Sequence, residues 1–150
     1  MALLSAGQFM ESGEVSALYA AIGKGGTATA YTTTYMALST VASTGVLNST
    51  WVLMSSGVTE CTDTAYARQP ITTSTGWSTP TAASPSVVSN AAALSWGPWV
   101  ANASATIYWG VLASAATAGI PLVAYLLTTA RLPLLGDSVQ AAIGAFSAQV

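Results

Sequence analysis

The segment AYTTTYMALS, residues 30–39, decides the fold class of this 150-residue sequence. Its side chains alternate along the chain, so that Met36 and Leu38 fall on one face of an extended segment and Tyr31 and Tyr35 on the other. A period of two is typical of a β-strand with one buried face. We therefore predict a strand here, with Met36 and Leu38 turned toward the core.

Short extended segments continue downstream of this strand. In residues 64–73, Pro70 predicts an edge strand or a bulge and not a central strand, because proline cannot donate a hydrogen bond to a neighbouring strand. Residues 43–63 leave two alternatives open, a long loop or a weak strand. Further strands are predicted over residues 87–96, 106–112, 122–129 and 138–149, the last two as a pair joined across RLPLLGDS. Gly, Pro, Asn and Asp at the breaks predict a mainly β protein, either an antiparallel β-sandwich or a jelly-roll-like domain.

Upstream, the pattern changes to helical spacing. Val15, Leu18 and Ile22 recur at intervals of three and four, Ser12 is a candidate N-cap, and Gly25 follows the last turn. These features predict one short N-terminal helix. The sequence thus divides into an N-terminal arm with this helix, residues 1–29, and a β domain, residues 30–150.

Charge is scarce throughout the sequence. Only 5% of residues are charged and the net charge is −2, whereas about a quarter of the residues of an average soluble domain are charged. Without a basic stripe there is no electrostatic surface for nucleic acid or anionic lipid, so neither is an expected partner. A surface of Ser, Thr and Ala is easily buried in an assembly.

The composition also excludes most catalytic chemistry. Histidine is absent and Cys61 is the only cysteine, which excludes intrachain disulfides, four-ligand zinc sites and histidine-based catalysis. The carboxylates of Glu60 and Asp63 lie beside Cys61 and disfavour a reactive thiolate, so a buried or idle cysteine is expected. We predict that the protein is not an enzyme and has no catalytic residue, cofactor or metal ligand.

Residues 107–127 are long enough to cross a membrane as one helix. Gly110, Gly119, Pro121 and the β-branched residues of the first part favour two strands and a turn instead, so no membrane association is expected. The first residues have no basic region ahead of an apolar run, and we expect a chain that is made in a cytoplasm.

The order of several short motifs resembles a family of small bacteriophage virion proteins, labelled tail fibre proteins and in some phages capsid decoration proteins. The motifs are TTTYMALST, AYARQPI, SNAAALSW, IYWGVL, AYLLTTAR and GDSVQAAIGAFSAQV. The resemblance covers residues 30–150 and implies a β domain, preceded by an N-terminal helix, that is repeated on a phage particle without a catalytic role. The sequence departs from the family pattern in VTECTD, residues 58–63, and in its five tryptophans.

Two functions follow from this resemblance. The first is a capsid decoration protein, a cement or minor capsid protein that binds the major capsid protein on the virion surface and stabilises the shell as a homo-oligomer, with a trimer favoured. The alternative is a tail fibre or tail-tip module that binds a host surface glycan through exposed aromatic side chains.

Four residues are candidates for a protein interface. Trp77 and Trp99 lie in predicted loops, where contact with a partner is expected, whereas Trp96 and Trp109 lie in predicted strands and are expected in the core. Arg68 and Arg131 are isolated cations, each expected either in solvent or paired with a carboxylate within the domain or across a subunit boundary. The carboxylates considered for these pairs are Asp63 and Asp137, and Asp137 is also expected to shape the turn at Gly136.

Overall fold

The computed structural model describes residues 8–9, 31–42, 53–56, 58–80 and 87–149. The predicted N-terminal helix and the predicted boundary at residue 29 lie outside these residues. Within them, all regular structure except one short 3-10 helix is β-strand, so the prediction of a mainly β protein is confirmed. The elements are β1 (Gln8–Phe9), β2 (Thr33–Ser39), a 3-10 helix (Met54–Ser56), β3 (Gln69–Thr72), β4 (Val87–Ser89), β5 (Leu94–Trp96), β6 (Ile107–Ala113), β7 (Pro121–Arg131), β8 (Val139–Ala141) and β9 (Ser147–Gln149).

Five strands form one antiparallel sheet in the order β1-β7-β6-β2-β3. β3 carries Pro70 and stands at the edge of the sheet, which is one of the two predicted alternatives. β6 and β7 occupy the long apolar stretch as two antiparallel strands, which confirms the predicted pair and turn. No helix in the described part of the chain is long and apolar enough to cross a membrane.

The remaining four strands form two separate ribbons, β4 with β9 and β5 with β8. The predicted single strands over residues 87–96 and 138–149 are therefore wrong, because each breaks into two strands around a turn. The predicted pairing of residues 122–129 with 138–149 is also wrong, since β7 pairs with β6 and β1. A β-sandwich is not confirmed by this arrangement of one sheet and two ribbons.

The ribbons contribute large side chains to a core on one face of the sheet. Phe146, just before β9, packs with Tyr125 of β7 edge to face, with ring centroids 5.1 Å apart. Gly110 of β6 makes room for this ring, because a Cβ there would lie 2.8 Å from Phe146 Cε1. Met36 and Leu38 join the same cluster, which confirms their predicted inward orientation.

The opposite face of the sheet carries a second, smaller cluster. Ala37, Val111 and Ala124 lie next to one another across three strands, and Met54 and Val58 pack against them. β2 is therefore buried on both faces, whereas its period of two predicts one buried face. The small alanine side chains allow the segment around the 3-10 helix to approach the sheet closely.

Candidate functional site

Two loops lie side by side and form an exposed surface, which we call the loop tip, comprising residues 99–103 and 132–137. Four hydrogen bonds join the loops. They run from Trp99 N to Asp137 O (2.8 Å), Gly136 N to Trp99 O (2.8 Å), Ala103 N to Pro133 O (2.8 Å) and Leu135 N to Asn102 Oδ1 (3.0 Å). The loops consequently hold each other in place.

The loop tip exposes aliphatic side chains. Val100 is 66% exposed, Leu132 and Leu134 are each 53% exposed, and Leu135 is 68% exposed. Contiguous apolar patches of this kind mark interaction sites more often than isolated exposed residues do. The surface is therefore suited to contact with another protein.

A tight turn keeps these leucines at the surface. The Leu134 N–H donates to Asp137 Oδ2 at 3.0 Å, and the Asp137 N–H returns a bond to Leu134 O at 2.9 Å. Gly136 has a φ of 87°, a left-handed conformation that glycine adopts without strain. The prediction that Asp137 shapes the turn at Gly136 is confirmed.

An open groove of about 810 Å³ lies beside the loop tip. One wall is the end of β7 and the residues after it, Ala130–Pro133, and the other is the β5–β8 ribbon. Arg131, Leu132 and Asp137 line the groove, so it shares residues with the loop tip. The exposed leucines and the groove thus meet along one stretch of chain.

A second feature is a buried polar cluster at the end of β2. Arg68 Nε lies 2.7 Å from Glu60 Oε1 and Arg68 Nη2 lies 2.7 Å from Glu60 Oε2. Tyr66 Oη donates to Glu60 Oε1 at 2.6 Å and accepts from the N–H of Leu38 at 3.0 Å. Burial and this bond to Glu60 raise the pKa of Tyr66 far above its ordinary value, and the bonds to Glu60 raise the pKa of Arg68.

The cluster anchors the loop between β6 and β7. Arg68 Nη1 donates to the carbonyl oxygens of Ala115 at 2.6 Å and Ala118 at 2.8 Å, and the side chain is only 6% exposed. Arg68 pairs with a carboxylate within the domain, as one of the alternatives predicts, but the partner is Glu60 and neither Asp63 nor Asp137. Glu60 forms a β-bridge with Ser39 on the same edge of β2 as β3. Arg68 directly precedes β3, so the bridge brings the side chains of Glu60 and Arg68 together.

Cys61 lies beside this cluster and is buried, as predicted. Its thiol donates to Asp63 Oδ2 at 3.3 Å, and burial, with smaller effects of the neighbouring carboxylates, raises its pKa to about 11. Such a thiol stays protonated at neutral pH and is a poor nucleophile. No group of three or more potential metal ligands occurs among the residues that the structure describes.

The sequence model of the podophage GP4 fiber I protein gp80 family matches residues 14–149. The chain belongs to this family. The match spans β2 through β9, and it confirms the resemblance to small phage virion proteins of the tail fibre type. Membership of this family also supports a location in the virion. No curated protein matches the chain.

The four interface candidates take different positions in this fiber I family chain. Trp77 is half-buried against the core, Trp99 is 2% exposed, and Arg68 lies in the polar cluster. Arg131 lines the groove beside the loop tip. Trp96 is buried, as predicted, and Trp109 is partly buried against the smaller core cluster. A role in an interface stays a prediction for all four candidates.

The sequence pattern did not reveal the loop tip. Its LPLL run predicts only a turn between strands, although three leucines around one proline in so polar a stretch are a signal of exposed apolar surface. In the described part of the chain, every aromatic side chain with an assigned exposure is buried or half-buried. The exposed apolar surface of the protein is therefore aliphatic there.

Proposed function

We propose that this chain is a non-catalytic structural subunit of a phage tail fibre that is held in the particle by protein contacts through the loop tip. The observation that carries this proposal is the match of the fiber I family over residues 14–149. The exposed leucines at 53–68% support the assembly role, because aliphatic patches are buried favourably against other proteins. The protonated thiol of Cys61 supports a non-catalytic chain.

Within a fibre role, assembly is better supported than glycan binding. Recognition of sugars by stacking needs an exposed aromatic face, and the two described tryptophans that are not fully buried, Trp77 and Trp109, are half-buried. Binding of a host glycan is the finer proposal within the fibre role. It is supported by the polar side chains of Arg131, Asp137 and Gln140, which line the groove.

Capsid decoration is the second candidate, favoured by the shortage of charge. A surface with so few charges suits permanent burial against a shell of major capsid protein, and a trimer on the capsid surface remains the proposed form for that role. The match to a fibre family favours a position on the tail over one on the capsid, because the family is that of a fibre protein and not of a shell component.

A sandwich-like arrangement is the finer structural proposal that goes with either role. The ribbon residues Trp96 and Phe146 share one core cluster with Met36 and Tyr125 of the sheet, which is what two facing layers would produce. The proposal requires both ribbons to lie over one face of the sheet, and ribbons that lie beside the sheet would contradict it.

Copy number in purified particles tests the function. We would quantify the chain against the major capsid protein by mass spectrometry with labelled reference peptides and locate it by gold-labelled antibody in the electron microscope. A fibre subunit is expected at a few copies per hundred capsid proteins, with label on the tail. A ratio near one, or a simple fraction of one, with label on the head would replace the fibre proposal by decoration.

A further inference from the structure

We infer that Asp63 is a positioning residue for the loop tip, because its carboxylate connects the first loop, residues 99–103, to the five-stranded sheet. This inference rests on the proposed function, since it concerns the surface through which the chain would contact other proteins. It gives Asp63 a role in placing that surface and not in touching the partner.

Asp63 is fixed on the side of the sheet. The N–H of Cys61 donates to Leu38 O at 2.9 Å, which attaches the segment before β3 to β2. The Cys61 thiol in turn donates to Asp63 Oδ2 at 3.3 Å, and the N–H of Tyr66 donates to Asp63 O at 2.9 Å. Both the backbone and the carboxylate of Asp63 are therefore held in place relative to β2.

The second carboxylate oxygen of Asp63 contacts the loop tip. Asp63 Oδ1 accepts from the N–H of Ser104 at 3.3 Å, and Ser104 directly follows the first loop. The two partners lie 41 positions apart in the sequence. One carboxylate thus accepts a hydrogen bond from the segment that is attached to β2 and another from the end of the loop.

The carboxyl of Asp63 is held in its charged form. Burial acts to raise the pKa of Asp63, but hydrogen bonding from Cys61 and Ser104 and the nearby Trp99 indole outweigh it and lower the pKa below its ordinary value. Hydrogen bonds to an ionised acceptor are stronger than those between neutral groups. The Trp99 indole N–H is buried without a hydrogen-bond partner among the described residues, so the charge of Asp63 also lies near an N–H donor at the start of the loop.

The contacts within the loop tip do not replace this connection. Its four hydrogen bonds join the two loops to each other and so do not attach them to the sheet. Trp99 packs in the core and fixes the start of the first loop. Loss of the Asp63 carboxylate should therefore loosen the loop at its other end, around Ser104.

The experiment compares Asp63→Ala with Asp63→Asn in the full chain, with Thr62→Ala as the matched control at the exposed neighbouring position. Amide hydrogen exchange followed by NMR should be roughly 3- to 10-fold faster at Ser104 in Asp63→Ala, because this N–H loses an ionised acceptor. Asp63→Asn should restore most of the protection, since the asparagine oxygen can still accept from Ser104. Thr62→Ala should leave the exchange unchanged, and the amides of β6 should be unaffected in all three variants.

The indole N–H resonance of Trp99 gives a second readout. Asp63→Ala and Asp63→Asn both remove the charge beside this indole, so its resonance should shift in both variants. The resonance of Trp96, which is buried in β5, should stay in place and serves as the internal control. Near-UV circular dichroism and thermal unfolding would establish that each variant keeps the fold.

Incorporation into particles connects the position of the loop with the proposed function. Particles assembled with Asp63→Ala should contain fewer copies of the chain than particles assembled with Thr62→Ala. Leu135→Gln, which alters the exposed surface itself, should also reduce the number of copies. Mass spectrometry of purified particles measures all three variants.

Unchanged exchange at Ser104 in Asp63→Ala, or an equal acceleration throughout the sheet, would overturn the positioning role. Full incorporation of Asp63→Ala together with a loss for Leu135→Gln would also overturn it. Full incorporation of Leu135→Gln would instead contradict the proposed contact through the loop tip, while faster exchange confined to the loop around Ser104 would still support the positioning by Asp63. Failure of the inference and failure of the proposed function are therefore distinguishable.

Discussion

The guanidinium of Arg68 and the carboxylate of Glu60 form a two-pronged ion pair, with both nitrogen–oxygen distances at 2.7 Å. The arginine side chain is 6% exposed and the glutamate side chain 22%, so the pair is shielded from most of the solvent. Through the carbonyl groups of Ala115 and Ala118 it also connects the segment before β3 to the loop between β6 and β7. Removal of either partner leaves a poorly solvated charge.

We expect Arg68→Met to lower the free energy of unfolding by about 3–5 kcal/mol, because Glu60 loses its counter-charge and two loop carbonyls lose their donor. The double variant Arg68→Met, Glu60→Leu should be more stable than the single variant, since no unpaired charge remains. Urea unfolding of the single and double variants measures both values. A loss below about 1 kcal/mol in the single variant would show that the pair is solvated.

Asn90 gives a second prediction. It is 1% exposed, its Nδ2 donates to the carbonyl oxygens of Ala92 (2.8 Å) and Ala142 (2.9 Å), and its Oδ1 accepts from the Phe146 N–H (2.8 Å). Asn90→Asp should cost about 3 kcal/mol or more at pH 7, because a carboxylate replaces the donor facing two carbonyls.

The pH dependence of Asn90→Asp follows from the same contacts. Burial and the two carbonyls would raise the pKa of the new carboxyl in the folded state, so its folding penalty should shrink as the pH falls and grow as the pH rises through that pKa. Asn102→Asp is the matched control, because exposed Asn102 uses only its oxygen, toward the Leu135 N–H. Equal losses for the two variants would contradict the role assigned to Asn90.

Two tyrosines provide a matched pair. The hydroxyl of Tyr66 donates to Glu60 and accepts from the Leu38 N–H, whereas the hydroxyl of Tyr125 is buried without a partner among the described residues. Tyr66→Phe should cost about 1–3 kcal/mol, since it leaves the Leu38 N–H without its acceptor and removes one of the two bonds to Glu60 Oε1. Tyr125→Phe should be neutral or stabilising by up to about 1 kcal/mol, because it removes an unpaired buried polar group. Thermal unfolding of both variants measures the two effects. If Tyr125→Phe were the more destabilising substitution, the hydrogen bonding assigned to the two hydroxyl groups would be contradicted.

The thiol of Cys61 predicts a specific alkaline instability. Because the folded state raises its pKa from 9.0 to about 11, the stability that the protonated thiol contributes is fully present below pH 9 and is lost as the pH rises toward 11. The loss should be roughly 2 kcal/mol, and Cys61→Ala should reduce it relative to the natural chain. Iodoacetamide at pH 8 should label the unfolded chain at least about 100-fold faster than the folded chain. Rapid labelling of the folded chain would contradict the buried, protonated thiol.

Alternation and turn residues predicted much of the sheet. The pattern around Met36, the proline in β3 and the glycine between β6 and β7 each act through a local physical cause, and these elements form where they are expected. Asn90 shows where local reasoning fails. Its side chain bonds to the chain near residues 142 and 146, more than 50 positions away, and the resulting turn splits a segment that otherwise alternates like one strand.

The candidate site was harder to predict for the same reason. The partner of Arg68 depends on the bridge between Ser39 and Glu60, and the burial of Trp99 depends on hydrogen bonds to Gly136 and Asp137. Neither contact leaves a periodic signal in the sequence. Asp137 was predictable because its role is confined to the turn that it closes.

The position of Phe146 over Gly110 has a consequence for the order in which the protein folds. The ring that completes the core on the sheet lies more than a hundred residues after Met36, which it helps to cover. During synthesis, at about 5–20 residues per second, the first strands of the sheet therefore leave the ribosome several seconds before the side chain that shields them. Until then Met36 and Leu38 lack the ring that helps to cover them in the folded protein, and this interval is the time at which the nascent chain is most prone to aggregate.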